Sequence, residues 1–397
     1  LMAKGLEDTC FYRFNRFLAL NEVGGAPDRF GISVEDFHAN CLKRSERTPH
    51  SFLATSTHDT KRSEDVRARI CALSEFPGDW RTKTSKWSKW NESKKTEVDQ
   101  NDAPDKNDEY LFYQILLGIW PVSPPDEEGL ASLMVRLEEY MIKAIREAKV
   151  HTSWININLP YEGATIEFIK KVLFSPARHP FWKDFVPFHQ KISHLGFLNS
   201  LSQTALKLTC PGVPDIYQGT EFFNFSLVDP DNRRAVDYKQ ASRTVEEIEN
   251  FVNDKTEAGK ADYRKLLPFE TGKVKFFLTI TLLRFRQKHS ALFRKGSYLP
   301  LDVLGEKSGS VIAFARVHEN ERLIVVVPRL MAGLVAGQSP FPVGLPCWGN
   351  TKVVLPGSLQ GRTWKTIIED STLGSRSGAM KLAEIFDQFP IGALYSQ

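Results

Sequence analysis

Twice along this chain a short apolar, β-prone run empties into a polar loop, and helical periodicity resumes beyond it. Ser51 to Ser56 leads into Thr57-His58-Asp59-Thr60-Lys61-Arg62, after which Ser63 is placed to cap a helix with Glu64 and Asp65 in its first turn. Ala205 to Cys210 runs into Pro211-Gly212-Val213-Pro214 and then Asp215 to Glu221, with a long helical pattern later at Val274 to His289. A strand, a polar loop and a helix in that order belong to α/β architectures, which gather chemistry at the C-terminal rims of their strands.

The intervening and flanking segments have other textures. Phe11, Phe14, Phe17 and Leu18 recur at helical spacing within Glu7 to Leu20, and Gly24-Gly25 with Pro27 supplies a stop. Helical patterns at Tyr110 to Ile119 and Leu130 to Lys149, broken at Asn91 to Asp108 and Pro121 to Glu128, make 73–200 read as an all-helical insertion. Short β-prone runs at Val311 to Val317, Leu323 to Pro328 and Lys352 to Leu355 describe a small antiparallel β-domain, with Phe386 to Gln397 fading into a tail. The reading is therefore α/β plus β in four segments, 1–72, 73–200, 201–295 and 296–397.

Several functional classes are disfavoured. No run approaches the roughly 18 apolar residues of a membrane span, and Leu1 to Phe14 carries charges where a signal peptide needs an apolar stretch, so a soluble, cytoplasmic protein without membrane partners is expected. The five cysteines form no CxxC pair, which suggests neither a zinc site nor a disulfide framework. A net charge of +4 over 397 residues gives no general reason for a polyanionic partner. Trp80, Trp87 and Trp90, interleaved with lysines, could resemble a single-stranded nucleic-acid platform, but spacings of seven and three suit a helical stripe docked on a core. No GxxxxGK[ST], strand-linked GxGxxG or HExxH string occurs; no cofactor, metal or nucleic acid is expected.

What remains is the string Ala54 to Arg62. An apolar strand that ends in adjacent His, Asp, Lys and Arg concentrates polar groups at one strand tip. The pair His58-Asp59 reads either as a catalytic element or as a solvated capping pair. Ser56, His58 and Asp59 are too close in sequence for a serine-hydrolase relay, and no nucleophile elbow is present. Asp229-Pro230-Asp231-Asn232-Arg233-Arg234 is a polar turn at the surface or on a pocket rim; Tyr217, Gln218 and Glu221 read equally as sugar contacts or as the satisfied end of a strand.

Taken together and in order, five strings resemble the maltooligosyl trehalose synthases of the α-amylase superfamily (glycoside hydrolase family 13): Met2 to Thr9, Asn21-Glu22-Val23-Gly24-Gly25, Ser56 to Asp65, Pro211 to Glu221, and Leu227 to Arg234. The resemblance runs from Leu1 to about Pro390. It implies the C-terminal part of an α-amylase-type (β/α)8 barrel with a large helical insertion, followed by the small antiparallel β-domain. It also implies that Asp59, at the end of barrel strand seven, is the third catalytic carboxylate, with His58 beside it. Lys61, Arg62 and Lys4 would bind the glucose leaving group, and Tyr217, Gln218, Glu221 and Asp229 would line the substrate.

The implied reaction is intramolecular transglucosylation, an isomerisation in trehalose biosynthesis that turns the reducing-end α-1,4 linkage of a maltooligosaccharide into an α,α-1,1 linkage by a retaining mechanism. In this family the aspartate nucleophile and glutamate general acid lie on barrel strands four and five, which would precede Leu1. The chain, which opens without an initiator methionine, reads as an excerpt that needs a missing N-terminal half as its partner and is inactive as a fragment. Two alternatives stay open: another α-amylase-type α-glucan hydrolase, or a catalytically dead α-glucan-binding piece.

Overall fold

The computed structural model describes residues 5–253, 262–335, 340–374 and 378–397. The chain separates into two compact units. One comprises Leu1–Gly31, Ser56–Gly196 and Asn224–Arg234; the other comprises Ile32–Thr55, Phe197–Phe223 and Ala235–Gln397.

The first unit is built on the helices Glu64–Cys71, Pro77–Asn91, Lys106–Ile119, Glu127–Ala148 and Leu159–Leu173, together with the opening turns of Pro180–Thr209. Their starts are chemically marked. Asp105 Oδ1 accepts from the amides of Asn107 and Asp108, Asp126 Oδ1 from Gly129 and Asn158 Oδ1 from Tyr161, each meeting donors that a first turn leaves unpaired. Leu133, Leu137, Tyr140, Met141, Ala144, Ile145 and Ala148 form the buried stripe of Glu127–Ala148, at three- and four-residue spacing. Trp87 is completely buried against Tyr113, Phe181 and Phe185, each ring centroid 5.5 Å away, and Trp80 packs edge-on against it. Trp80 and Trp87 of the tryptophan stripe are thus core, Trp90 is only half-buried, and Lys83 pairs with Asp184 at the edge.

Three expectations for this unit need correction. The N-terminal helix stops at Arg13 instead of reaching Leu20. Side-chain amides take over its carbonyls: Asn21 Nδ2 donates to those of Phe11 and Phe14, Asn15 Nδ2 to that of Tyr12, and Gln114 Nε2 to that of Asn15. The insertion is not all helical, because Thr96–Val98 and Asn101–Ala103 pair as a hairpin inside the polar break. Asp99 and Gln100 turn it with φ of 50° and 61°, the left-handed geometry of a two-residue hairpin loop, though without the glycine that usually announces one. Ser63 also does not cap Glu64–Cys71; the Glu64 amide donates to Ser56 Oγ at 2.9 Å instead.

In the second unit, strand Phe52–Ala54 pairs in parallel with Val213–Asp215, in the register Phe52↔Val213, Leu53↔Pro214 and Ala54↔Asp215. The second strand lies later than expected. Helix Pro180–Thr209 runs straight through the run that reads as a strand, burying Leu201, Ala205 and Leu208 at helical spacing, and Pro211 then ends it. Gly212, at φ of +128°, lets the backbone pass Leu53: a Cβ there would sit 2.7 Å from the leucine Cγ.

The β-domain is as expected in kind. A six-stranded antiparallel sheet has the order Thr372–Gly374, Thr363–Thr366, Gly392–Ser396, Glu321–Pro328, Val311–His318, Ser297–Pro300. A three-stranded sheet comprises Ala379–Lys381, Lys352–Val354 and Val303–Leu304. The expected C-terminal tail is wrong, since Gly392–Ser396 is an interior strand with Ala393 and Leu394 buried. Buried Arg316 donates to the carbonyls of Thr209, Phe293 and Gly296, joining sheet to helix ends within this unit.

Candidate functional site

The loop Thr57 to Arg62 belongs to the first unit and leads into helix Glu64–Cys71. It is ordered first by its own hydroxyls. Thr60 Oγ1 donates to the Thr57 carbonyl at 2.9 Å and accepts from the Thr57 amide, while Thr57 Oγ1 accepts from the Asp59 amide at 3.2 Å. The Ser56 bond to the Glu64 amide then ties the two ends of the loop together.

Long-range contacts complete the hold. The buried Glu22 carboxylate accepts from the Lys61 amide at 2.7 Å through Oε1 and from the Arg62 amide at 3.2 Å through Oε2, with Arg67 Nε 3.6 Å from Oε2. Asn232 Nδ2 donates to the His58 carbonyl at 3.0 Å and to the Thr57 carbonyl at 3.3 Å. Asn232 is positioned by the turn Leu227 to Arg234, in which Asp231 Oδ2 accepts from the Leu227 amide and the Arg136 guanidinium binds both carboxylate oxygens. Burial would raise the Asp231 pKa, but the hydrogen-bonded Arg136 outweighs it and keeps the carboxyl below its ordinary range.

With the backbone held, His58 and Asp59 project outward; the Asp59 side chain is 58% exposed. Lys61 is only 3% exposed, with its ammonium 2.8 Å from Asp8 Oδ1 and 3.8 Å from Asp59 Oδ1. Asp8, Lys61 and Asp59 thus form a short line of alternating charge that ends on the exposed carboxylate. An exposed carboxylate above a fixed cation can accept hydrogen bonds from sugar hydroxyls without first breaking a strong internal pair.

The other residues singled out in the sequence are placed differently. Arg62 is fully buried; its guanidinium donates to Tyr140 Oη at 3.0 Å and to the Asn21 carbonyl, so it works inside the fold instead of facing a ligand. Asp229 is half-buried and paired with Arg233 at 3.0 Å, and its carbonyl accepts from Lys143 Nζ. Tyr217, Gln218 and Glu221 belong to the second unit, just beyond strand Val213–Asp215: Tyr217 and Glu221 are half-buried and Gln218 is exposed. Lys4 lies outside the described residues.

Asp8, Glu22 and Asn232 have no assigned role in the sequence reading, although all three fall in the strings that carry the resemblance. An isolated polar residue has no periodic or spacing signal for a partner 39 or more positions away. Among the described residues, Asp105, Asp108 and His151 bring potential ligand atoms within 4.8 Å of one another. Each is already engaged: Asp105 caps a helix and meets His151 Nε2 at 2.8 Å, and Tyr161 Oη donates to Asp108 at 2.6 Å. No helix among the described residues is long and apolar enough to cross a membrane.

The fold and loop define part of a mixed α/β protein, one unit of which carries a polar loop pinned beside a helical layer and the other an antiparallel sheet domain. The chain is similar to maltooligosyl trehalose synthases along nearly all of its length. Curated relatives provisionally given that name, from two strains of Mycobacterium tuberculosis, are 33% identical over 389 residues, covering 98% of this chain and 43% of their own length. The structure of maltooligosyltrehalose synthase from Arthrobacter ramosus matches all of this chain with a TM-score of 0.80 at 32% identity, over 45% of its own length. A hypothetical maltooligosyl trehalose synthase from Sulfolobus tokodaii matches all of it with a TM-score of 0.72, also at 32% identity and over 45% of its own length. No protein-family profile matches the chain. The chain therefore spans somewhat under half the length of these relatives.

Proposed function

We propose that this chain is the C-terminal half of an intramolecular transglucosylase that converts the reducing-end α-1,4 linkage of a maltooligosaccharide into an α,α-1,1 linkage. The observation that carries the reading is the relationship to maltooligosyl trehalose synthases over 98% of the chain, combined with a backbone-pinned loop that presents Asp59. In this reading strands Phe52–Ala54 and Val213–Asp215 are strands seven and eight of an α-amylase-type barrel, and the missing N-terminal half supplies the nucleophile and general acid. The isolated chain would then be inactive.

Asp59 grips the hydroxyls of the sugar whose linkage is remade, and those bonds strengthen as positive charge develops on the ring. His58 donates to a neighbouring hydroxyl. Lys61, held by Asp8, donates to the departing glucose and keeps it near the covalent glycosyl-enzyme until its anomeric hydroxyl attacks. Excluding water favours that attack over hydrolysis, a task suited to the helical layer. Tyr217, Gln218, Glu221 and Asp229 are retained as sugar contacts; Arg62 supports the loop from within the fold.

In the complete enzyme, Asp59→Asn is expected to lose about 3 kcal/mol or more of transition-state stabilisation, a fall of roughly 100-fold or greater in turnover. Near-normal trehalose-end formation by that variant sinks the assignment. Products from maltopentaose separate the hydrolase alternative: reducing sugar falls with a synthase and rises with a hydrolase. A glucan-binding piece without catalysis shows affinity but no turnover even with both halves present.

A further inference from the structure

We infer that Glu22 is a positioning residue for the Asp59 loop: its carboxylate fixes the backbone at Lys61 and Arg62 and so sets where Asp59 stands. The inference rests on the reading of Asp59 as a sugar-binding carboxylate and adds a residue to which that reading gives no task.

The argument begins with two consecutive amides. A loop that turns from strand to helix leaves backbone N–H groups without ladder or helical partners, and a buried donor left unpaired is destabilising. The amides of Lys61 and Arg62 are each received by a different oxygen of one carboxylate, at 2.7 Å and 3.2 Å, and Oε1 also accepts from the Val23 amide at 2.9 Å. Charge-assisted bonds of this kind are roughly twice as strong as neutral ones, and two acceptors on a planar group fix orientation as well as distance. Glu22 is itself buried and held from behind by Arg67 at 3.6 Å, so it has little freedom to follow the loop if the loop moves.

Asp59 lies two residues before the first of these amides. On its other side the carbonyls of Thr57 and His58 are held by Asn232. The exposed carboxylate therefore stands on backbone fixed on both flanks by side chains from distant parts of the sequence. Near a reacting centre this matters, because a displacement of about 1 Å can lower turnover on the order of 100-fold without abolishing binding. Aspartate at position 22 would be one methylene too short to span both amides. Glutamine would offer one oxygen and turn an NH2 donor toward an amide that is also a donor.

The test compares wild type, Glu22→Gln, Glu22→Asp and Asp59→Asn in the complete enzyme, reading kcat, KM and residue-level amide hydrogen exchange. Glu22→Gln is expected to lower kcat by roughly 10- to 100-fold with KM nearly unchanged, and to speed exchange at Lys61 and Arg62 by about 10-fold or more while helix Glu127–Ala148 keeps its protection. Glu22→Asp should do the same. Wild-type kcat with unchanged exchange at the loop, or exchange accelerated equally throughout the unit, would overturn the inference. Should the Glu22 variants fail to fold, wild-type exchange decides: Lys61 and Arg62 amides as protected as those of helix Glu64–Cys71 support the grip, and fast exchange there refutes it. Asp59→Asn separates the two levels of argument. If it retains turnover, the catalytic reading fails, whereas exchange at residues 61 and 62 in the Glu22 variants still reports on the grip alone.

Discussion

The Arg136 guanidinium grips both carboxylate oxygens of Asp231, Nε to Oδ1 and Nη2 to Oδ2, each at 2.9 Å. The same Nη2 donates to the Phe225 carbonyl at 2.6 Å, and Asp231 Oδ2 takes the Leu227 amide. One ion pair therefore fastens the turn that carries Asn232 to helix Glu127–Ala148, and through Asn232 it steadies the loop bearing Asp59.

Replacing Arg136 with methionine leaves the largely buried Asp231 carboxylate with only the more exposed Arg234, 3.1 Å away, as its cation, a change expected to cost about 1–3 kcal/mol at neutral pH. The sign of the pH dependence follows from the lowered Asp231 pKa. Its stabilising contribution is present above the ordinary carboxylate pKa and is lost as pH falls through the folded value. The difference between wild type and Arg136→Met should accordingly shrink in acid. Urea denaturation at neutral pH and near pH 4 checks this; a difference that grows in acid contradicts it.

Asp108 has the opposite sign. Burial, followed by the charge of Asp105, raises its pKa to about 6, against the hydrogen bond from Tyr161 and the nearby His151. A carboxyl harder to ionise in the folded state than in the unfolded one takes stability away as pH rises from about 4 to about 6, and the penalty is constant above that. Asp108→Asn retains a carbonyl oxygen for Tyr161 and should stabilise the protein on the order of 2 kcal/mol at pH 7.5 with little effect near pH 4. Thermal melts at both pH values test it, and equal shifts at the two would remove the explanation.

Two glycines inside helices give a paired prediction. At Gly196 a Cβ would lie 2.7 Å from Arg69 Cα, whereas at Gly163 nothing lies within 4 Å of the added atom. Alanine gains about 1 kcal/mol over glycine from helix propensity, and overpacking against backbone costs about 1–3 kcal/mol. Gly163→Ala should therefore stabilise by up to about 1 kcal/mol, while Gly196→Ala should destabilise despite the same propensity gain. Chemical denaturation of the two variants reads the difference directly.

Legibility in the sequence followed the range of the interactions. Helix Glu127–Ala148 with its strong apolar stripe, the apolar-rich helices Lys106–Ile119 and Lys273–Lys288, and the hairpin Val311–His318 with Glu321–Pro328 were readable because local sequence decides them. The segment around Ala205 misled because a short apolar run looks the same in a strand and at the end of a buried helix, and only tertiary packing distinguishes them. The Thr96 to Ala103 hairpin was hidden by a turn lacking glycine. At the candidate site, His58, Asp59 and Lys61 announced themselves by adjacency; Arg62 shared that adjacency but points inward. Glu22 and Asn232 act on backbone groups at distances of 39 and 174 residues, which no local pattern reports.

Strand Gly392–Ser396 is hydrogen-bonded between Glu321–Pro328 and Thr363–Thr366, and the sheet order gives those two neighbours no pairing with each other. During synthesis, therefore, the two halves of that sheet would lack the one described strand that joins them, and their facing edges would stay open until Gly392–Ser396 can pair. Among the described strands it is Gly392–Ser396 that joins the two halves, and a polypeptide halted before residue 392 would display two unfinished sheet borders to every other nascent chain nearby.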